Sequence, residues 1–282
     1  MKNMLRSSLV AAVAVILLAG RAPAQLIVGN DQTGTASIYY VDVVTGASTA
    51  IYTSTGNEAR PWGMAYDGVT NTLYWNNGGN LYSSPFSMSL TPTLVAPLTF
   101  MGASTNFVGL SFRNGLLYGT RNIATEAVYT INPATGIASI VYTYPAAFDF
   151  GGLEHDAATG ILYGLSDTGP AGLYEINVGS MTTTFRAGYP AGETDIDGLA
   201  VFNGLAYYVT DGPNTTQANF YVYNIATGLQ VGTLPSPFTG SGTFSAATFI
   251  GIPEPSSLAL AVLGVSVLAG AAWRRTRPAR AA

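Results

Sequence analysis

Four stretches of the chain repeat one pattern: WGMAYDGVTNTLYWNN (Trp62–Asn77), VGLSFRNGLLYGTRN (Val108–Asn122), GGLEHDAATGILYGLSD (Gly151–Asp167) and DGLAVFNGLAYYVTD (Asp197–Asp211). Each has a glycine followed by an apolar residue, then a turn rich in Asn, Asp or Gly, then a second apolar segment containing tyrosine. The shared glycines are Gly63, Gly109, Gly152 and Gly198, which lie 46, 43 and 46 residues apart. A fixed period of this length is typical of a repeat architecture.

A second hairpin pattern follows each of these stretches: LYSSPFSMSLTPTLV (Leu81–Val95), VYTINPATGIASIVY (Val128–Tyr142), LYEINVGSMTTTFR (Leu173–Arg186) and YVYNIATGLQVGT (Tyr221–Thr233). Apolar residues alternate with Thr and Ser, and Pro, Asn or Gly interrupts them, which indicates two strands joined by a turn. Each repeat therefore has four strands in about 45 residues, as a propeller blade does.

The two ends of the repeat region supply a fifth unit. LIVGND (Leu26–Asp31) and IYYVDVVTGASTAIYT (Ile38–Thr53) are three strands of a unit that lacks its first. TFSAATFI (Thr243–Ile250) is a first strand without the rest. Joining them closes a ring and leaves no long free edge. The sequence thus predicts an all-β, five-bladed β-propeller over residues 25–252; a pair of β-sandwiches, the alternative, does not explain the fixed period.

Composition and charge exclude several function classes. Only 9% of the 282 residues are charged and there is no cysteine, so disulfides, cysteine zinc sites and thiol catalysis are excluded. Residues 25–252 hold 4 arginines and 14 acidic residues, a net charge of −10. Such a domain lacks the basic footprint that nucleic acid requires, so no nucleic-acid partner is expected.

The first 24 residues resemble a secretory signal peptide. MKNMLR gives a positive start, and Leu9–Ala19 is an apolar run too short to span a membrane comfortably. Ala22 and Ala24 form a small-x-small cleavage pattern before Gln25. We therefore expect export and cleavage after Ala24.

The last 30 residues, 253–282, predict a membrane segment. Leu258–Trp273 carries no charge, and with the two preceding serines a helix of this stretch approaches the ~30 Å hydrocarbon core. Pro253 and Pro255 prevent an earlier helix start. The arginines that follow Trp273 place the tail in the cytoplasm by the positive-inside rule, so the propeller faces outward.

Pro253-Glu254-Pro255, the apolar segment and the arginine cluster resemble, in this order, the PEP-CTERM sorting signal of Gram-negative bacteria. The resemblance implies that Pro253, Glu254 and Pro255 are the recognition motif of an exosortase, and that Arg274, Arg275 and Arg277 are the stop signal. It further implies that the apolar segment anchors the protein transiently in the membrane before the tail is removed. The protein would then reach the cell surface or the extracellular matrix, in organisms that often make exopolysaccharide.

The aligned first strands differ at one polar position. Two residues after each shared glycine stand Ala65, Ser111, Glu154 and Ala200, so Glu154 is the one carboxylate. Glu154, Asp195 and Asp197 form the candidate metal site, because carboxylates at one mouth of a propeller suit Ca²⁺; a solvated acidic rim is the alternative. His155 aligns with apolar packing positions, which favours a packed histidine over a catalytic one.

Aromatic residues Tyr39, Tyr40, Trp75, Tyr144 and Tyr189 offer rings that could stack on sugars. No nucleophile or phosphate-loop motif is present, so no catalytic residue is assigned. The prediction is an exported, non-enzymatic binding or structural module whose partner is a polysaccharide or a surface protein. The alternative is a calcium-dependent hydrolase that resembles the lactonase propellers, with Ca²⁺ as a cofactor, although the Glu, Asn and Asp set that those propellers spread over several blades has no match here.

Overall fold

The computed structural model describes residues 25–30, 35–121, 123, 126–144, 148–210, 219–237 and 243–251. Residues Ala24–Gly251 form one compact unit. The signal-peptide residues Ala22 and Ala24 and all the sorting-motif residues lie outside the described residues, whereas Gln25 begins the first strand.

The strands are numbered in chain order and fall into five antiparallel sets. The ring-closing set contains β1 (Gln25–Asn30), β2 (Ala36–Asp42), β3 (Ser48–Ser54) and β22 (Phe244–Ile250). Blade I contains β4 (Gly63–Asp67), β5 (Thr72–Asn77), β6 (Asn80–Pro85) and β7 (Thr93–Pro97). Blade II contains β10 (Gly109–Arg113), β11 (Leu116–Thr120), β12 (Ala127–Ile131) and β13 (Ile137–Thr143).

The other two sets complete the ring. Blade III contains β14 (Phe150–His155), β15 (Leu162–Ser166), β16 (Gly172–Asn177) and β17 (Thr182–Gly188). Blade IV contains β18 (Gly198–Phe202), β19 (Leu205–Val209), β20 (Asn219–Asn224) and β21 (Leu229–Pro235). One short 3₁₀ helix, Asn57–Ala59, precedes blade I.

The five-bladed propeller and its four-stranded blades are confirmed. Within each blade consecutive strands pair as a meander, and the first strands contact each other in the order β4, β10, β14, β18, β22 and back to β4. In the closing blade, β22 pairs antiparallel with β1, from Gln25 opposite Ile250 to Asn30 opposite Phe244. The strands at the two ends of the propeller therefore share one sheet, as predicted.

Close approach of neighbouring first strands explains the repeated glycine. A Cβ atom at Gly109 would lie 2.4 Å from the Gly151 carbonyl oxygen of the next blade, and one at Gly152 would lie 2.6 Å from the Asp197 carbonyl oxygen. Any larger residue would force these backbones apart. The repeated glycine thus marks a contact between blades at Gly63, Gly109 and Gly152, whereas at Gly198 it makes room for Val209 of the same blade.

The apolar core is divided among the interfaces between blades. Within the described residues, each pair of neighbouring blades shares one buried cluster; the one between blades III and IV, for example, includes Leu165, Leu173, Leu199 and Tyr208. The same holds for the other four pairs. A blade therefore buries its apolar faces only against its neighbours, which makes stability depend on the closed ring.

Blade II carries an addition that the sequence patterns did not reveal. A short hairpin of β8 (Thr99–Phe100) and β9 (Ala103–Ser104) extends its sheet to six strands, because Thr99 and Phe100 pair in parallel with Ile137 and Ala138. Two-residue strands are too short to show any alternation of apolar and polar residues. They cover the outer edge of β13.

In the part of the chain that the structure describes, no helix has both the length and the apolar character to cross a membrane. The apolar segment predicted at residues 258–273 lies outside that part.

Phe249 of β22 tests the contribution of ring closure to stability. Its ring is buried and lies 5.1 Å from Phe202 and 4.8 Å from Tyr207 of blade IV, measured between ring centroids. We expect Phe249→Ala to lower the free energy of unfolding by about 3–5 kcal/mol, because it leaves a cavity between the closing blade and blade IV. Urea denaturation followed by circular dichroism measures this.

The matched control is Phe185→Ala on β17, where the ring is 45% exposed. We expect it to cost about 1 kcal/mol or less. Equal losses of unfolding free energy for the two substitutions would show that the Phe249 ring in the closing interface stabilises the protein no more than an exposed ring does.

Candidate functional site

Four aspartates gather where the chain enters blades III and IV. Asp149 precedes β14, Asp167 follows β15, and Asp195 and Asp197 precede β18. Carboxylate oxygens of Asp167, Asp195 and Asp197 all lie within 4.8 Å of one another. Oxygens at this separation can coordinate a single Ca²⁺, whose ligand distances are about 2.3–2.6 Å.

Backbone and side-chain hydrogen bonds fix Asp167. Its N–H donates to the Asp149 carbonyl at 3.0 Å. The Tyr189 hydroxyl donates to Asp167 Oδ1 at 2.7 Å, and the Ile196 N–H donates to the same oxygen at 3.4 Å. Asp167 is therefore held against the loop that carries Asp195 and Asp197.

Gly151 makes room for Asp197. A Cβ atom at Gly151 would lie 1.9 Å from Asp197 Oδ1, so any side chain there would displace the carboxylate. The Gly151-Gly152 pair thus lets the backbone of blade III approach the entry loop of blade IV, which brings Asp197 towards Asp167.

Burial and mutual repulsion disfavour the ionised form of these acids. Burial, together with the neighbouring charges of Asp197 and Asp195, raises the pKa of Asp167 to about 8, against the opposing effect of the Tyr189 hydroxyl. Burial, with Asp195 nearby, also raises the pKa of Asp149. A cation would relieve this cost by neutralising the charges.

The structure brings together two of the three residues predicted for the metal site. Asp195 and Asp197 converge, but with Asp167 and without Glu154. Glu154 lies on β14 inside the ring, where the Thr248 hydroxyl of β22 donates to Glu154 Oε1 at 3.4 Å. Burial raises the pKa of Glu154 well above its ordinary value.

Sequence reasoning missed Asp167. The feature of the sequence that could have revealed it is its position directly after the second strand of its repeat. An antiparallel hairpin brings the end of the second strand back to the edge where the first strand begins. Aligning the ends of second strands, and not only the first strands, would have placed it beside Asp149.

His155 is packed, as its alignment with apolar positions suggested. It is 8% exposed, and its ring lies 4.7 Å from the Tyr118 ring. Its Nδ1 lies 2.9 Å from the Ser111 hydroxyl, which also accepts the His155 backbone N–H at 2.7 Å. Because Ser111 is fully buried, this contact joins blades II and III and is closed to a substrate.

Two of the aromatic residues proposed as stacking platforms are unavailable. Trp75 is fully buried and Tyr144 is 6% exposed. The Tyr189 ring is half-buried and its hydroxyl is bonded to Asp167. The prediction that Trp75 and Tyr144 could stack on sugars is therefore wrong, because these rings fill the spaces between blades.

Comparison with known proteins identifies the C-terminal segment. Residues 251–276 match the family described as the PEP-CTERM protein-sorting motif. The chain is thus a propeller protein that carries a PEP-CTERM sorting motif, which marks it as exported and processed by an exosortase. No curated protein sequence matches this chain.

One similar solved structure, from a nidogen–laminin complex, supports the fold and nothing beyond it. A chain from a nidogen–laminin complex has a TM-score of 0.56 at 14% identity, over 80% of this chain and 98% of that one. The computationally designed Ika8 protein has a TM-score of 0.38 at 13% identity, over 78% of this chain and 61% of its own. Identities this low carry no information about function.

The burial of Asp167 and the acidic charges around it predict a pH dependence of stability in the absence of divalent cations. A raised folded-state pKa means that the native state binds a proton more tightly than the unfolded chain, so stability falls as pH rises from about 4 to about 8. Asp167→Asn removes this titration while its Oδ1 still accepts from Tyr189. We expect the variant to have the higher Tm at pH 8 in EDTA, with a smaller difference at pH 4.

Glu175→Gln on the outer part of blade III is the control, because it removes an acid whose partner, Arg186, is exposed. It should leave the pH profile of Tm almost unchanged. A lower Tm for Asp167→Asn at pH 8 would contradict the electrostatic account of the cluster.

Proposed function

We propose that the chain is a non-enzymatic binding module of the cell surface or extracellular matrix in a Gram-negative bacterium. A signal peptide exports it, the C-terminal segment anchors it in the membrane, and an exosortase removes the tail. Its partner is a polysaccharide or another surface protein. The observation that supports this most is the sorting motif, whose first matched residue, Gly251, directly follows β22.

The arrangement of polar residues also supports binding over catalysis. Ser111 is inaccessible beside His155, and Glu154 lies apart from the cluster of Asp167, Asp195 and Asp197. Neither Ser111 with His155 nor Glu154 with the aspartates therefore forms a nucleophile and base pair at an open surface. Rigid blades with variable loops suit recognition instead.

The calcium-dependent alternative rests on the convergence of Asp167, Asp195 and Asp197. Calcium there would stabilise the loops entering blades III and IV without requiring any chemistry. The hydrolase version needs in addition a substrate site beside the ion.

Processing of the tail is the first test. In an exosortase-bearing host, we expect the mature protein to lack Arg274–Arg280 and to appear in the matrix fraction, as measured by fractionation and mass spectrometry of the C-terminal peptide. Replacing Pro253-Glu254-Pro255 by three alanines should retain the tail and keep the protein with the cells.

Leu260→Ile, within the apolar segment but outside the motif, is the matched control and should be processed normally. Wild-type protein that keeps its arginines and stays with the cells would contradict the sorting part of the proposal. Processed protein that is absent from the matrix and the cell surface would contradict the location.

The calcium alternative has its own test in thermal unfolding. If the aspartates bind Ca²⁺, millimolar Ca²⁺ should raise the Tm of the full chain at pH 7.5, because a ligand that binds only the folded state stabilises it. Asp167→Asn should abolish the increase, and Glu175→Gln should not. No increase in the wild-type protein would eliminate the calcium alternative.

A further inference from the structure

Two adjoining cavities open at the end of the propeller where the first strands finish. Their volumes are about 380 and 360 Å³, and both are lined by Arg113, Asn114, His155 and Gly160. The acidic cluster lies at the opposite end, where first strands begin. A volume of this size falls at the lower end of the range for small-molecule sites, ~300–1,000 Å³, and suits one or two sugar rings.

Glu154 lines the larger cavity and carries a carboxyl oxygen without a hydrogen-bond partner among the described residues. Glu154 is 7% exposed. Of the residues of β14 that line this cavity, it is the one furthest from the hairpin turn at Asp156–Gly160. Oε1 accepts from Thr248, but Oε2 has no hydrogen-bond partner among the described residues. Leaving such an oxygen buried without a partner is unfavourable, and a ligand hydroxyl would supply the missing bond.

Arg113 places donors at the junction of the two cavities. Its guanidinium lies against Gly160, and it forms no salt bridge with any residue that the structure describes. A guanidinium offers five N–H donors in a fixed planar fork, which can hold two adjacent oxygens of a ligand. Donors from Arg113 and a carboxyl from Glu154 thus line the larger cavity together.

Aromatic rings form the apolar part of the larger cavity. Tyr66, Phe112 and Phe249 line it. Phe112 stacks on Tyr74 with ring centroids 5.8 Å apart, and Phe249 stacks on Phe202 at 5.1 Å, so neighbouring rings hold both in place. The electron-rich face of an aromatic ring attracts the C–H groups of a sugar ring, while the hydroxyls at the rim of the sugar reach polar groups.

We propose that this cavity is a carbohydrate site that binds a neutral hexopyranose unit of a polysaccharide. Arg113 donates to sugar hydroxyls, Glu154 bonds one further hydroxyl, and Phe112 with Tyr66 contacts the ring. The net charge of −10 on residues 25–252 repels acidic polysaccharides, which favours a neutral sugar. The inference rests on the proposed function and identifies the site at which the module would bind.

Calorimetric titration of the full chain tests this, in a detergent without a sugar headgroup and with cellobiose, lactose and mannobiose as probes. We expect at least one disaccharide to bind. Arg113→Gln and Glu154→Leu, which remove the guanidinium and the carboxyl, should each weaken it at least about tenfold, the loss expected for a hydrogen bond to a charged or buried group. Arg121→Gln is the control, because Arg121 lies over the rings of Phe100 and Tyr129, outside both cavities.

The outcomes separate the site from the proposed function. If no disaccharide binds, or if both variants bind as wild type does, the carbohydrate site is refuted. Partition of the mature protein into the matrix would then still support a surface module that uses another face. If the wild-type protein also fails to reach the surface or the matrix, the proposed function fails as well. Glu154→Leu, which keeps a side chain of similar size, keeps the test valid should Arg113→Gln fail to fold.

Discussion

The pairing of β22 with β1 is the interaction on which the structure depends. It joins residues 25–30 to residues 244–250 through a ladder that runs the length of both strands. Each blade buries its apolar surface against two neighbours. If the ring opened, the closing blade and the blade from which it separated would each expose an apolar face to water. Long-range pairing also costs loop-closure entropy, which the interblade clusters on both sides of β22 must offset.

This closure has a consequence for sorting. The ring is complete at Ile250, and the residues matched by the PEP-CTERM motif begin at Gly251. No strand of the described propeller comes from the segment that an exosortase would remove. Removal of the tail therefore leaves every strand pair of the ring in place.

The fold could be predicted from the sequence because the repeat encodes local geometry. Gly109 and Gly152 mark the points where neighbouring backbones touch, and such contacts favour glycine at the same position of successive repeats. The candidate sites were harder to predict from the sequence, since they depend on distances between blades. Asp167 and Asp195 are far apart in sequence, and Glu154, although nearer to Asp167 in the chain than Asp195 is, accepts a hydrogen bond from Thr248 in another blade. The burial of Trp75 likewise depends on the neighbouring blade, which no local pattern reveals.

The propeller thus carries two different groups of polar residues at opposite ends of its channel. Repelling aspartates surround the starts of the first strands of blades III and IV, and a cavity with Arg113, Glu154 and aromatic walls lies at the ends of first strands. Both depend on the ring holding neighbouring blades in fixed register, because each draws its residues from more than one blade.

Hydrogen–deuterium exchange on the full chain tests ring closure most directly. Amides in β1 and β22 should exchange as slowly as those in β14, because all three belong to one cooperative unit. Fast exchange in β1 and β22, with β14 protected, would show that the ends are not joined and would contradict the account.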